Sequence, residues 1–275
     1  MKVNKNIIFI FLLLIFSDLI LAQKNEIEDI NKNLTSLATT ILNAETDSLR
    51  QEANYQLTNY FLEILNRKKS YLYEFRNIEH IYIMQPKDKA FKLFTWFAPY
   101  LDGTLDYFGI IQQCNKRGKK CKIYLLDDIK KLNSESVNSL FNFDEWYGCI
   151  YYDVIPVKIG KEKYYTLLGW DGNNLKTNKK IIDALQIGKK KSPVFGANIF
   201  NNNKNRILIE YSSQYPVLLQ YDEELEYIVF DHLEPIDGIS KNNFEFYATN
   251  LSYDILEKSE IGWKLKTNIY LNNIK

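Results

Sequence analysis

The stretch Cys149-Ile150-Tyr151-Tyr152-Asp153-Val154-Ile155-Pro156-Val157-Lys158-Ile159, followed by Gly160-Lys161-Glu162 and then Tyr164-Tyr165-Thr166-Leu167-Leu168-Gly169-Trp170, decides the fold. Two runs rich in β-branched and aromatic residues flank a break of hairpin length, and no helix fits between them. Strands joined this way pair antiparallel, because a parallel pair needs a crossover of a dozen or more residues. Working outward, similar short runs occur at Ile78 to Ile83, Phe91 to Phe97, Tyr107 to Ile111 and Ile123 to Leu126. Others follow at Val194 to Ile199, Arg206 to Tyr211, Val217 to Tyr221 and Leu225 to Phe230, with weaker ones at Phe244 to Tyr247 and Trp263 to Tyr270. Lys179 to Ile187 is readable as strand or helix. The polar span Asp127 to Ser139 is the nearest thing to a boundary within the strand region.

Upstream of about Ser70 the period changes from 2 to 3.6 residues. Ile27, Ile30, Leu34, Leu37, Ile41 and Leu42 form one helical stripe, and Leu49, Ala53, Leu57, Tyr60, Phe61, Ile64 and Leu65 a second. Between them Ser48 and Gln51 have the spacing of a capping box. The expected fold is therefore α+β: an N-terminal helical hairpin, Ile27 to Asn66, followed by a predominantly antiparallel β-sheet region, sandwich or barrel-like. The expected organisation is a signal peptide at 1–22, a helical segment at 23–70 and a β-rich domain at 71–275.

The signal-peptide reading rests on Lys2 and Lys5, the ten apolar residues Ile7 to Phe16, and Ile20-Leu21-Ala22 before the polar Gln23-Lys24-Asn25. Ten apolar residues make about 15 Å of helix, half of what a bilayer core requires, so cleavage after Ala22 is favoured over a retained anchor. The expectation is an exported, soluble protein, periplasmic or secreted, with no membrane span after cleavage. The chain carries 35 basic and 34 acidic residues; without Lys2, Lys5 and Asp18 there are 33 of each. A neutral chain gives no electrostatic ground for nucleic acid as a partner. The basic runs at Arg67-Lys68-Lys69, Lys116 to Lys122 and Lys189-Lys190-Lys191 fall where turns or loops are expected, and read as solvated tips.

An oxidising compartment makes the three cysteines matter. If the runs flanking Asn115 to Lys120 pair as a hairpin, Cys114 and Cys121 face each other at its base, within disulfide range. Two reduced, unrelated thiols fit the spacing as well. Cys149 reads as a lone thiol acting as a small strand hydrophobe.

The catalytic survey yields little. His80 and His232 are the two histidines, no Cys or His spacing suggests zinc, and neither a phosphate loop nor a Gly-x-Ser-x-Gly elbow occurs. No cofactor, metal site or catalytic residue is assigned. The densest ionisable cluster is Asp231-His232-Leu233-Glu234-Pro235-Ile236-Asp237, at the end of the run Tyr227 to Phe230. Asp231 could orient His232 as a base or ligand; alternatively the cluster is a strand cap with His232 bonded to backbone. Ser212-Ser213, after Glu210-Tyr211, sits at a strand end that turns also favour. Twenty tyrosines, 16 phenylalanines and four tryptophans place aromatics on both strand faces, one face for the core and one able to stack on a ligand.

Trp146-Tyr147-Gly148, Leu167-Leu168-Gly169-Trp170-Asp171-Gly172, Pro193-Val194-Phe195-Gly196 and Glu210-Tyr211-Ser212 resemble, in that order, motifs of a known family. So do Ile228 to Pro235, Leu251-Ser252-Tyr253-Asp254 and Trp263. The resemblance, over about residues 30 to 272, is to exported, signal-bearing bacterial envelope proteins with no assigned function. It implies an envelope location and brings no catalytic residues. The family's Gly after Ser-Tyr-Asp is Ile255 here. Two functions are expected from these readings. One is a non-catalytic envelope protein holding a polymer, peptide or partner protein on an aromatic sheet face of the Tyr151–Tyr165 hairpin. The alternative is a hydrolase or metal-dependent enzyme centred on Asp231 and His232.

Overall fold

The computed structural model describes residues 5–115, 118, 120–128, 137–188, 191–200 and 204–270. They form an α+β protein of two compact units, Met1–Ile81 and Tyr82–Lys275. The polar span expected as a boundary, and the runs at Lys116, Lys189 and Asn201, lie largely outside the described residues.

In the first unit, α1 (Lys5–Asn43) runs without a break past Ala22 and packs against α2 (Asp47–Asn66). Ile30, Leu34 and Ile41 of α1 and Leu57, Phe61 and Ile64 of α2 are buried, as their 3.6-residue spacing dictates. Leu49, expected in the second stripe, is 54% exposed. The cap also differs: Thr46, not Ser48, is the N-cap, its Oγ1 accepting from Leu49 N at 3.3 Å. The adjoining Arg50 is buried and donates to the carbonyls of Ile41 (2.9 Å) and Leu42 (2.7 Å). These are carbonyls of the last turn of α1, which have no helical N–H to accept from. Among the described residues no helix is long and apolar enough to cross a membrane.

Among the described residues the second unit holds three antiparallel sheets, none closed into a barrel. The first runs β1 (Tyr82–Met84), β2 (Lys92–Pro99), β3 (Leu105–Cys114), β4 (Cys121–Leu126). The second runs β5 (Phe141–Asn142), β9 (Val194–Phe195), β8 (Thr177–Gln186), β7 (Glu162–Asp171), β6 (Ile150–Ile159), with β10 (Arg206–Ser212) also on β8. The third runs β11 (Leu219–Asp222), β12 (Tyr227–Pro235), β13 (Tyr247–Ser259), β14 (Gly262–Ile269).

The middle sheet is covered on both faces. Tyr165, Leu167, Ile181 and Leu185 pack with Phe91, Leu93 and Ile111 of the first sheet region. Leu168, Ile182 and Ala184, pointing the other way, pack with Ile228, Phe230, Leu256 and Trp263 of the third. Because side chains alternate across a strand, a strand buried on both faces reads as an unbroken apolar run. That is why Lys179 to Ile187 was ambiguous; it is strand β8. Gly169 stands where β7 crosses β6 closely: a Cβ there would lie 2.9 Å from the Tyr151 ring and 3.0 Å from Cys149 Sγ.

Two expectations fail here. Of Ile78 to Ile83 only the end is strand, β1. Phe244 to Phe246 is a 3-10 turn, and β13, the longest strand, follows it. The mixed-polarity sequence of β13 hid it, because its partly covered sheet and its irregular register leave no clean alternation.

Candidate functional site

The hairpin of β3 and β4 places Cys114 opposite Cys121, and the two are joined in a disulfide with Cα atoms 4.0 Å apart. Cys149 is free and fully buried, and burial drives its thiol well above the ordinary range.

Tyr107, Tyr147, Tyr151, Asp171, Asp183 and Arg206 form buried polar contacts in the sheet unit. Asp171 accepts from Tyr107 Oη at 2.9 Å and from Tyr147 Oη at 2.7 Å. Both phenols are pushed up by burial and by that carboxylate. Asp183 and Arg206, neither exposed at all, sit with Oδ1 and Nε 3.4 Å apart, and Tyr151 Oη donates to Asp183 Oδ2 at 3.1 Å. Arg206 also donates to Ser139 O at 3.1 Å and lies over the Phe141 ring. Burial still holds the Asp183 carboxyl above the usual range. Trp146 Nε1 reaches Tyr151 Oη at 3.4 Å, Phe195 stacks on Tyr151, and Trp263 Nε1 donates to Thr166 Oγ1 at 2.7 Å. Beside this network Asp128 Oδ1 accepts from Gly148 N at 3.1 Å, and burial raises its carboxyl to about 6. A Cβ on Gly148 would fall 2.3 Å from that carboxyl carbon, so the Trp-Tyr-Gly motif needs its glycine.

This network corrects the aromatic expectation. Tyr151 and Tyr165 are 0% and 2% exposed, so the hairpin presents no stacking face there. Tyr152 is partly buried and donates to Leu219 O at 3.0 Å. A middle sheet covered on both sides turns both faces of an aromatic strand into core. Ser212 is buried and Ser213 Oγ donates to Leu175 O, so that pair serves the loop.

The His232 cluster is arranged differently from the sequence reading. Asp231, His232, Glu234 and Pro235 lie inside β12, not beyond its end. Asp231 does not orient the imidazole: its Oδ2 accepts from Leu218 N at 2.8 Å. His232 is bonded neither to backbone nor to Asp231; its Nδ1 lies 2.7 Å from Asp254 Oδ1. Its Nε2 lies 3.6 Å from Glu234 Oε1.

Backbone irregularities build this contact. Between β12 and β13 the register runs Asp231↔Tyr253 and then Leu233↔Thr249, so Asn250, Leu251 and Ser252 stand against His232 alone. Between β13 and β14 a second shift falls at Asp254. Bulges re-aim side chains, and here two of them bring His232 and Asp254 together. Asn250 Oδ1 accepts from Ser252 N and Oγ, and Thr249 Oγ1 from Leu251 N, which holds Leu251 at φ 69°. Asn268 N donates to Asp254 Oδ1 at 2.9 Å. Side chains of His232 and Asp254 are 22% and 15% exposed, so the pair opens to solvent. Asp254 had been visible in the sequence as part of a motif, but nothing in spacing alone joined it to a histidine 22 positions earlier. Ile255, which follows Ser252-Tyr253-Asp254, is buried in β13 opposite Val229. His80, the other histidine, lies in the helical unit beside Glu79, Nε2 to Oε2 3.9 Å.

Exposed apolar side chains gather at one end of the sheet unit. Leu101, Leu175, Ile236 and Ile239 are 69%, 78%, 58% and 83% exposed, and Tyr215 and Phe246 also protrude. The four loops that carry them are tied together. A Cβ on Gly103 would touch Leu175, Ser213 N donates to Lys176 O, and Lys176 Nζ pairs with Glu245 at 3.0 Å. Two exposed acids bond within their own turns: Asp102 accepts from Thr104, and Asp237 from Ile239 and Ser240. At the opposite end ion pairs dominate, Lys87 with Glu223 and Lys163 with Asp88, alongside exposed Leu225 and Ile261. In the helical unit a groove of about 850 Å³ between α1 and 72–77 is lined by Lys24, Glu28, Lys32, Glu74 and Arg76.

Among the described residues no group of three His, Cys, Asp or Glu side chains is arranged to hold a metal ion. Comparison of the chain with protein-family models, characterised proteins and solved structures finds no match.

Proposed function

We propose that this is an exported protein that works without catalysis, as an interaction module that docks a partner protein of the cell envelope. The observation that carries it is the set of six exposed apolar side chains on four neighbouring loops at one end of the sheet unit, three of them bonded together and the fourth touching Leu175 at Gly103. Contiguous exposed apolar surface on a folded protein marks an interaction site. The chemistry of the end favours protein over an anionic lipid or nucleic acid. Its charges are of both signs, with Asp102, Asp237 and Lys241 exposed and Lys176 paired with Glu245, so this end presents no basic surface to an anionic lipid or nucleic acid. Protein interfaces combine apolar side chains with a polar, solvent-accessible rim. Export is supported by the Cys114–Cys121 disulfide, which fits an oxidising compartment, by the apolar segment near the N-terminus, and by the resemblance to exported envelope proteins.

The test is photo-crosslinking in living cells from positions 175 and 239, with 225 and 261 as controls at the other end. The reading expects a discrete adduct from 175 and 239 that disappears with Leu101→Asn and Ile236→Asn, and none from the controls. Equal adducts from both ends, or none from either, would overturn it.

A further inference from the structure

We propose that His232 and Glu234 form a site for one divalent transition-metal ion of the zinc or copper type, held in register by Asp254. This inference is independent of the docking surface and rests on the bulge of β12 and β13.

A carboxylate can only accept, so the 2.7 Å contact places a proton on His232 Nδ1, and in the neutral imidazole the Nε2 lone pair is then directed away from Asp254. This is the arrangement by which metal-binding imidazoles are held: the ligating nitrogen free, the other donating to a carboxylate that sets tautomer and ring orientation. Asp254 is itself anchored by the N–H of Asn268 at 2.9 Å. Glu234, two residues along the strand from His232, then supplies an oxygen 3.6 Å from Nε2. Two ligands at ordinary Zn–N and Zn–O lengths of about 2.0–2.2 Å stand roughly 3.3–3.6 Å apart on a tetrahedral or slightly wider ion. The observed separation lies within the range of two ligands on a shared cation. The Glu234 side chain is 54% exposed, so an ion can enter and keep water in its remaining positions.

Nitrogen and carboxylate together suit zinc and copper(II), whereas calcium and magnesium require shells of oxygen. Asp254 is engaged by Nδ1, so the chain offers two ligands, and the ion is bound reversibly, not as part of the core. The thiols do not compete, since Cys114 and Cys121 are joined and Cys149 is buried.

The experiment is calorimetric titration of the full chain with Zn²⁺ near neutral pH, and electron paramagnetic resonance with Cu²⁺. The expected result is one ion per chain, bound more tightly than about 1 mM, with copper tighter than zinc and a nitrogen coupling in the copper spectrum. His232→Ala should abolish binding, and His80→Ala should leave it unchanged. Asp254→Asn, a positioning change, should weaken it about 10–100-fold. Glu234 is exposed, so Glu234→Gln tests the site even where His232→Ala folds poorly, and should weaken zinc at least about tenfold. No uptake below about 1 mM, or uptake that Glu234→Gln and His80→Ala affect equally, would overturn the proposal.

Discussion

At the scale of single residues, the polar groups at the centre of the sheet unit are coupled tightly enough for one substitution to unfold the protein. Arg206 and Asp183 are both wholly buried. Removing one member of a buried ion pair leaves the other uncompensated, and typically costs about 3–5 kcal/mol. Arg206→Ala should therefore shift the urea midpoint by most of the molecule's stability; a change under about 1 kcal/mol would show that the site admits water. Asp128 makes a pH prediction. Its carboxyl, 3.8 in the unfolded reference, is raised to about 6 by burial, with Asp106 and Asp171 adding to the effect. A raised folded value means that the ionised form is the one the fold penalises. Its contribution is complete below the unfolded value and is lost as pH rises through about 6. Against Asp128→Asn, which cannot ionise, the wild type should lose about 1–3 kcal/mol across that window. Urea unfolding of both proteins at a series of pH values measures it, and parallel curves would refute the assignment.

At the scale of elements, the disulfide closes a loop of eight residues between β3 and β4. The chain-entropy model gives a loop so short about 2.5 kcal/mol at most. The bond also pins a register that a one-residue slip would invert, turning each buried side chain outward. Cys114→Ser with Cys121→Ser should still fold, because β3 is also paired along β2 over eight residues, and should melt lower. Thiol counting on the denatured, unreduced wild type should find one thiol, Cys149, and peptide mapping should join 114 to 121. The helical unit has its own local test. Thr46 caps α2 through Leu49 N, so Thr46→Ala should cost about 1 kcal/mol, and Ser48→Ala much less. Equal effects would restore the capping box that the spacing of Ser48 and Gln51 suggested.

At the scale of the whole molecule, two large apolar clusters lie wholly within the sheet unit. Every member of the two large sheet clusters lies between Met84 and Leu265. The disulfide and the bulge site fall within the same unit. A fragment of residues 82–275 should therefore fold without the helices, unfold in one cooperative urea transition and retain the disulfide. A fragment that is uncooperative in urea would mean that the sheets depend on the helical unit. Leu175 and Ile239 are exposed loop tips of the same unit, so substitutions there should change association and leave the melting temperature within about 0.5 kcal/mol equivalent.

The sequence by itself determined what depends on local period and composition. The switch from 3.6 to 2 near Ser70 marked the end of the second helix at Asn66, though the first strand starts only at Tyr82, because side-chain spacing follows directly from backbone geometry. Short breaks such as Gly160-Lys161-Glu162 determined antiparallel pairing, and the seven-residue separation of Cys114 and Cys121 made a facing pair available. Tertiary structure decided everything that required knowing which faces are covered. The tyrosines of β6 and β7 had the pattern of a stacking face and became core, since the middle sheet has a layer on each side. The partner of His232 was likewise settled by register and not by proximity in the chain. Asp231 was adjacent and went to a backbone N–H, while Asp254 arrived from the next strand. A bulge changes which residues meet without changing the local pattern that spells the strand, so its consequence becomes visible when the two strands are laid side by side.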